Sequence, residues 1–219
     1  MDLLDRVMAP ASDLLDRVDD LLVRHGAPRD HPVWALIRRV EALPGSALAD
    51  VATLAPERIR AAVAPLATSA DDCQTAVAVV PLALDAQGVA ASAFANRWSD
   101  MRGQIVDDRD SLGVRLDETA AYLRAVADWA ATARRDLATT LAGCLGSAEA
   151  VAVRSASLDV EHHATLAAAD IGAHVLGEVA QAIEAGWQVR QDWAHIAEET
   201  PVRTATKMTV DLSGHIDVR

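Results

Sequence analysis

The chain has 219 residues, 51% of them apolar but only 3% aromatic, so Ala and Leu must fill a core sized for one domain or two small ones. Its 32 acidic against 20 basic side chains give a net charge of −12, which excludes a non-specific nucleic-acid binder, because such a surface repels the phosphate backbone. No uninterrupted apolar run reaches about 18 residues, so the sequence predicts no membrane span, and no Lys/Arg-led apolar leader of secretory type is expected.

Helical periodicity dominates up to about residue 200. The chain opens with a small repeat, Asp2-Leu3-Leu4-Asp5-Arg6-Val7 and Asp13-Leu14-Leu15-Asp16-Arg17-Val18. Its offset of about three helical turns puts both copies on similar faces. Pro10 predicts a break between two short helices, with Ser12 capping the second. Gly26 and Pro28 end that helix, and another is expected from about His31 to Leu43 through Val33, Trp34, Ile37 and Val40. Pro44-Gly45 reads as a stop, followed by a short amphipathic stretch through Leu48, Val51 and Leu54. These short helices form a first unit, residues 1–55.

Pro56 suits the first turn of a longer helix that carries Ile59, Val63, Leu66, Cys73 and Val77 on one face. A turn is expected at Asp85-Ala86-Gln87-Gly88. From Val89 to Leu145 no proline intervenes, and Phe94, Trp98, Met101, Ile105, Leu112, Leu116, Leu123, Val126, Ala130, Leu137 and Leu141 sustain an apolar stripe. A single helix of that length would run about 85 Å. Together these predict a helical hairpin over 56–147. Ser147 and Glu149 can start a last long helix, 148–200, through Val151, Leu158, Leu166, Ile171, Val175, Val179, Ile183, Trp187 and Ile196. Helices this long must hide their stripes against each other or a partner, so the fold class is an all-α, elongated antiparallel bundle.

Over residues 201–219 the period changes. Val202, Thr204, Thr206, Met208, Val210 and Leu212 alternate with Arg203, Lys207, Asp211 and Ser213, which predicts a short extended, β-like tail that bends at Ser213-Gly214. An isolated hairpin is marginal in water, so the tail is expected to pair with its own copy, a partner's sheet edge or the bundle.

The turn and the helix after it read Ala86-Gln87-Gly88-Val89-Ala90-Ala91-Ser92-Ala93-Phe94-Ala95-Asn96-Arg97-Trp98. This resembles the helical-hairpin family of type VII secretion, the WXG-motif proteins of actinobacterial type. In that family Trp-x-Gly forms the turn, followed by small residues, a buried aromatic and a second amphipathic helix. The resemblance covers about 90 residues and implies that Gly88 turns the backbone while Phe94 and Trp98, one helical turn apart, pack into the hairpin seam. Two features depart from the family pattern. Position 86 is Ala where the family has Trp. The Tyr-x-x-x-Asp/Glu export signal is also missing, since the single tyrosine, Tyr122, is followed four residues on by Val126. The resemblance implies a non-enzymatic protein acting by helix packing in a homo- or hetero-oligomer, either cytoplasmic or exported with a partner that supplies the signal.

Catalytic signatures are absent: there is no Gly-rich phosphate loop, no Gly-x-Ser-x-Gly elbow, and neither cysteine has a histidine beside it. Cys73 and Cys144 read as reduced, small buried residues, with Cys73 expected opposite about residue 101 and far from Cys144. Asp107, Asp108 and Asp110 interrupt the long stripe and mark a polar face. Trp187 and Trp193, with Gly186 beside them, read as core or interface anchors. Asp159, His163, Asp170 and His174 fall within about a 60° arc of the last helix, and pairs spaced by four residues suit two-ligand contacts to a divalent ion. The pairs lie about 16 Å apart along the axis, so one ion would need ligands from another helix. A metal- or small-molecule-binding bundle using that face is therefore the alternative to the interaction protein. No cofactor and no metal are expected on the first reading, and the binding residues it implies are Gly88, Phe94, Trp98, Trp187 and Trp193.

Overall fold

The computed structural model describes residues 2–79, 88–108, 111–156 and 162–198, and every regular element among them is helical. The expected turn at Asp85-Ala86-Gln87, Asp159 with its neighbours, and the tail 201–219 lie outside the described residues. In chain order the helices are α1 (Leu3–His25), α2 (Val33–Val40), α3 (Pro44–Thr53), α4 (Pro56–Val79), α5 (Val89–Arg102), α6 (Leu112–Leu145), α7 (Ala148–Ser155), α8 (His162–Asp192) and α9 (Ala194–Glu198).

Helix α1 starts on a reciprocal cap. The Asp2 carboxylate accepts from the Asp5 N–H, and the Asp5 carboxylate accepts from the Asp2 N–H. The break expected at Pro10 does not occur, and α1 runs through it. Pro10 and Arg6 are both exposed, so water serves the carbonyl that the missing N–H leaves unpaired. With the helix continuous, both copies of the repeat share one buried face through Leu4, Ala11, Leu14, Leu15 and Val18. Pro44 likewise begins a helix instead of ending one, occupying the first turn of α3, where a missing N–H costs nothing. The helix expected over 31–43 is trimmed to α2 because Glu41 adopts a left-handed conformation, φ 59°.

The main core forms where α1, α2 and α3 meet the second half of α6, α7 and the first half of α8. Leu4, Leu14, Leu15, Leu48, Leu137, Leu141, Ile171 and Leu176 are fully buried there. Each buried leucine of this kind contributes about 1.5–3 kcal/mol. The residues 1–55 are therefore one wall of a shared core. Gly172 permits the closest approach, since a Cβ there would lie 3.3 Å from both Pro44 and Val33.

Helices α4 and α6 run side by side in opposite directions. The Ala52 and Leu54 carbonyls just before α4 meet Arg134, and one turn into α4 Arg60 meets Asp128. Their buried positions repeat every seven residues: Pro56, Val63, Ala70 and Val77 on α4, and Gly113, Ala120, Ala127, Arg134 and Leu141 on α6. That period keeps one seam facing the partner, and its small side chains let the two backbones approach closely. On the other side of α6, α8 also runs antiparallel, with Thr140 bonded to Glu178 and Trp129 to the Ala182 carbonyl.

Two long helices expected from the sequence are interrupted. The stretch 89–145 breaks after α5 into a π turn, Gly103–Asp107, closed by the Asp108 N–H bonded to the Gly103 carbonyl at 2.9 Å. Ser111 then caps α6, accepting from the Val114 N–H. Asp107 and Asp108 thus precede a helix N-terminus, where their charge is favoured, instead of lining a helix flank, while Asp110 lies outside the described residues. The antiparallel register set by Arg60 and Asp128 puts Cys73 level with the first turns of α6 instead of opposite residue 101. The stretch from 148 likewise divides, because Ala156 leaves helical geometry after α7 and α8 begins at His162.

Candidate interaction surfaces

The site residues expected from the sequence fall into two groups. Gly88, Phe94 and Trp98 belong to α5, whereas Trp187 and Trp193 belong to the end of α8 and the residue after it.

Gly88 caps the start of α5 at φ +117° and ψ −178°, a region reserved for glycine. A Cβ there meets nothing within 4 Å, so the requirement is in the backbone and not in the packing. Among the described residues the helix that follows packs chiefly on the adjoining π turn, and that turn is what contacts α4 and α6. Its described contacts do not place Phe94 against α4. Phe94 is 47% exposed, with Val89 at 89% and Met101 at 48%. Trp98 is half-buried, and its enclosed indole N–H has no acceptor among the described residues. Among the described residues the close seam with α4 is made by α6, beyond the break at the π turn.

The second surface lies along α6 and α8. The Trp129 indole sits against Gly186, where a Cβ would come within 2.9 Å of the ring, and its Nε1–H donates to the Ala182 carbonyl at 2.8 Å. Tyr122 meets Trp193 at 6.2 Å between ring centres, and His195 stacks on Trp193 at 5.9 Å. Trp193 is thus half-buried against α6, while Trp187 is exposed at 53%. Trp129 and Tyr122 were missed as site residues, since nothing in their spacing reveals that a tryptophan on one helix matches a glycine 57 positions later on another.

Of the acidic and histidine face, Asp159 lies outside the described residues, and the described members Asp170, His163 and His174 do not converge on one ion. Asp170 is engaged by His31 of the loop before α2, Nε2 to Oδ1 at 3.1 Å, while His31 Nδ1 accepts from the Val33 N–H. The tautomer protonated at Nε2 satisfies both bonds. His163 and His174 face α7. The Glu149 carboxyl is held below its ordinary range by its own backbone N–H, then the Ser147 hydroxyl, and further by the charges of His174 and His163. Among the described residues no three His, Cys, Asp or Glu side chains are placed to hold one ion. Cys144 is buried and its thiol is pushed up by desolvation and by Glu149, which makes it a poor nucleophile.

Two further charged groups were not singled out by the sequence. Arg134, buried at a heptad position, donates to Asp2 at 2.5 Å, to Asp5 at 2.7 Å, and to the Ala52 and Leu54 carbonyls. Its hydrogen bond with Asp2 holds that carboxyl low and the guanidinium high. An arginine in an otherwise apolar heptad was the available signal. Asp19 of α1 accepts from the Gly45 N–H at the start of α3 with both oxygens. Burial raises its pKa to about 6, with Asp16 and Asp20 adding to the rise and the Gly45 bond opposing it.

Comparison with protein-family models, curated sequences and solved structures gives no match.

Proposed function

We propose that this protein is a non-enzymatic helical interaction protein related to type VII secretion substrates or their partners, which acts by packing its helices against a second copy or a protein partner. The observation that carries the reading is α5: a 14-residue helix with little packing on other described residues and with Val89, Phe94 and Met101 open to solvent. Apolar side chains displayed along an unsupported helix are covered when a partner helix arrives. The Ala-rich α4–α6 seam and the positive φ at Gly88 support kinship with the WXG-type hairpins, while Ala86 and the exposed Phe94 mark a divergent member.

In this reading the molecule is an elongated antiparallel bundle whose hairpin arms are α4 and α6, and the residues 201–219 supply a short β-like tail that pairs on assembly. The protein works in the cytoplasm or leaves the cell with a partner carrying the export signal. Native mass spectrometry of the full chain, together with affinity capture from the source organism, tests this. A homo-oligomer or a stoichiometric helical partner is expected, and Phe94→Glu with Met101→Glu should release it. A chain that stays monomeric at tens of micromolar and retains no stoichiometric protein would refute the reading.

A further inference from the structure

The groove between α6 and α8 has a built floor. Gly186 seats the Trp129 ring, and the bond from Nε1 to the Ala182 carbonyl fixes its orientation and satisfies its one polar atom. Tyr122 and Val126 from α6, with Ile183 and Trp187 from α8, form apolar walls around a cavity of about 350 Å³. That volume lies at the lower end of the range of about 300–1,000 Å³ typical of small-molecule sites. Two of the wall residues remain open to water, Ile183 at 40% and Trp187 at 53%.

At the mouth stands Arg190, its guanidinium carbon 4.8 Å from the centre of the Trp187 ring. Five arginines, Arg24, Arg39, Arg60, Arg102 and Arg134, are committed to carboxylate partners, and Arg190 is among those that are not. Among the described residues no carboxylate pairs with Arg190. Stacking on the indole holds a planar, two-pronged donor at the lip of an apolar trough.

We propose that this groove binds a small amphipathic carboxylate, its acyl or arylalkyl chain lying on Trp129 between Ile183 and Trp187 and its head group on Arg190. A guanidinium fork fits a carboxylate with two parallel N–H···O bonds. One cation suits one negative charge, and the chain's net charge of −12 disfavours polyanions such as phosphate esters. A cationic ligand is disfavoured too, because Arg190 already occupies the face of Trp187. The proposal does not depend on α5, the helix that carries the oligomer reading, and it concerns a different class of ligand, although Trp187 figures in both.

The test is titration of the full chain with octanoate, octanol and octylammonium, read by calorimetry and tryptophan fluorescence. Octanoate should saturate, and more tightly than the other two. Arg190→Gln should weaken octanoate by about 3- to 5-fold, as expected for one partly exposed ion pair, while leaving octanol within about 2-fold. Ile183→Asp places a like charge in an exposed wall position without touching the core, and should abolish octanoate binding with the circular dichroism spectrum unchanged. Equal affinity for octanol and octanoate, tighter binding of octylammonium, or no saturable binding at millimolar octanoate would each overturn the proposal.

Discussion

Replacing Arg134 with Met keeps the length and apolar stem of the side chain and removes its charge and donors. Arg134 joins three elements: the cap of α1 through Asp2 and Asp5, the carbonyls of Ala52 and Leu54 that precede α4, and α6 itself. Breaking a buried pair by removing one partner costs about 3–5 kcal/mol. The Asp2 and Asp5 side chains are each 43% exposed and can recover water, which puts the expected loss at the low end, about 3 kcal/mol. For a chain of this size that lowers Tm by about 6–12 °C. Thermal and urea unfolding, followed by circular dichroism, read both quantities. The Asp2 carboxyl is held below its ordinary value of 3.8, so its contribution is present above about pH 4 and lost as pH falls further. The gap between parent and Arg134→Met should therefore narrow below pH 4. A variant that melts within 1–2 °C of the parent at pH 7 would refute the argument that this arginine ties the three elements together.

Asp19→Asn should stabilise the protein by about 1 kcal/mol at pH 7.5, a figure discounted for partial solvent access. The folded carboxyl is raised from 3.8 to about 6, so the parent loses stability as pH rises through 6, and the difference should vanish near pH 4 when unfolding midpoints are compared. Gly88→Ala should leave the global Tm unchanged, because α5 packs on little else, yet lower amide-exchange protection over the first turn of α5 by about tenfold, the equivalent of roughly 1–2 kcal/mol of backbone strain. Equal protection in the two proteins would show that the positive φ at Gly88 is not required.

The helical class and most of the buried faces were legible in the sequence because steps of three, four and seven residues survive in Ala-rich helices. What escaped it has local physical causes. Pro10 and Pro44 read as breaks, but one sits on an exposed helix flank and the other in a first turn, where proline does no harm. The π turn at Gly103–Asp107 carries no proline, so periodicity ran straight past it. Ser111 behind three nearby aspartates was the helix-start signal that outweighed the stripe. The seam placement of Phe94 and Trp98 rests on the family resemblance together with their one-turn spacing. Spacing places two residues on one face and says nothing of which face meets a neighbour. Trp129 with Gly186, and Arg134 with Asp2, are pairings across 57 and 132 positions, and only the fold brings them together.

Under the proposed interaction, the α4–α6 seam gives a physical reason for a partner at α5. Beyond Arg60 and Asp128 its buried side chains are Val63, Ala70 and Val77 against Gly113, Ala120 and Ala127. These are smaller side chains than the leucines that fill the core of α1, α6 and α8, so each buries less apolar surface there. The exposed apolar side chains of α5 stand at that less densely packed end. Helix packing by a partner there would supply burial that the alanine seam cannot, and would couple binding to the ordering of the whole arm.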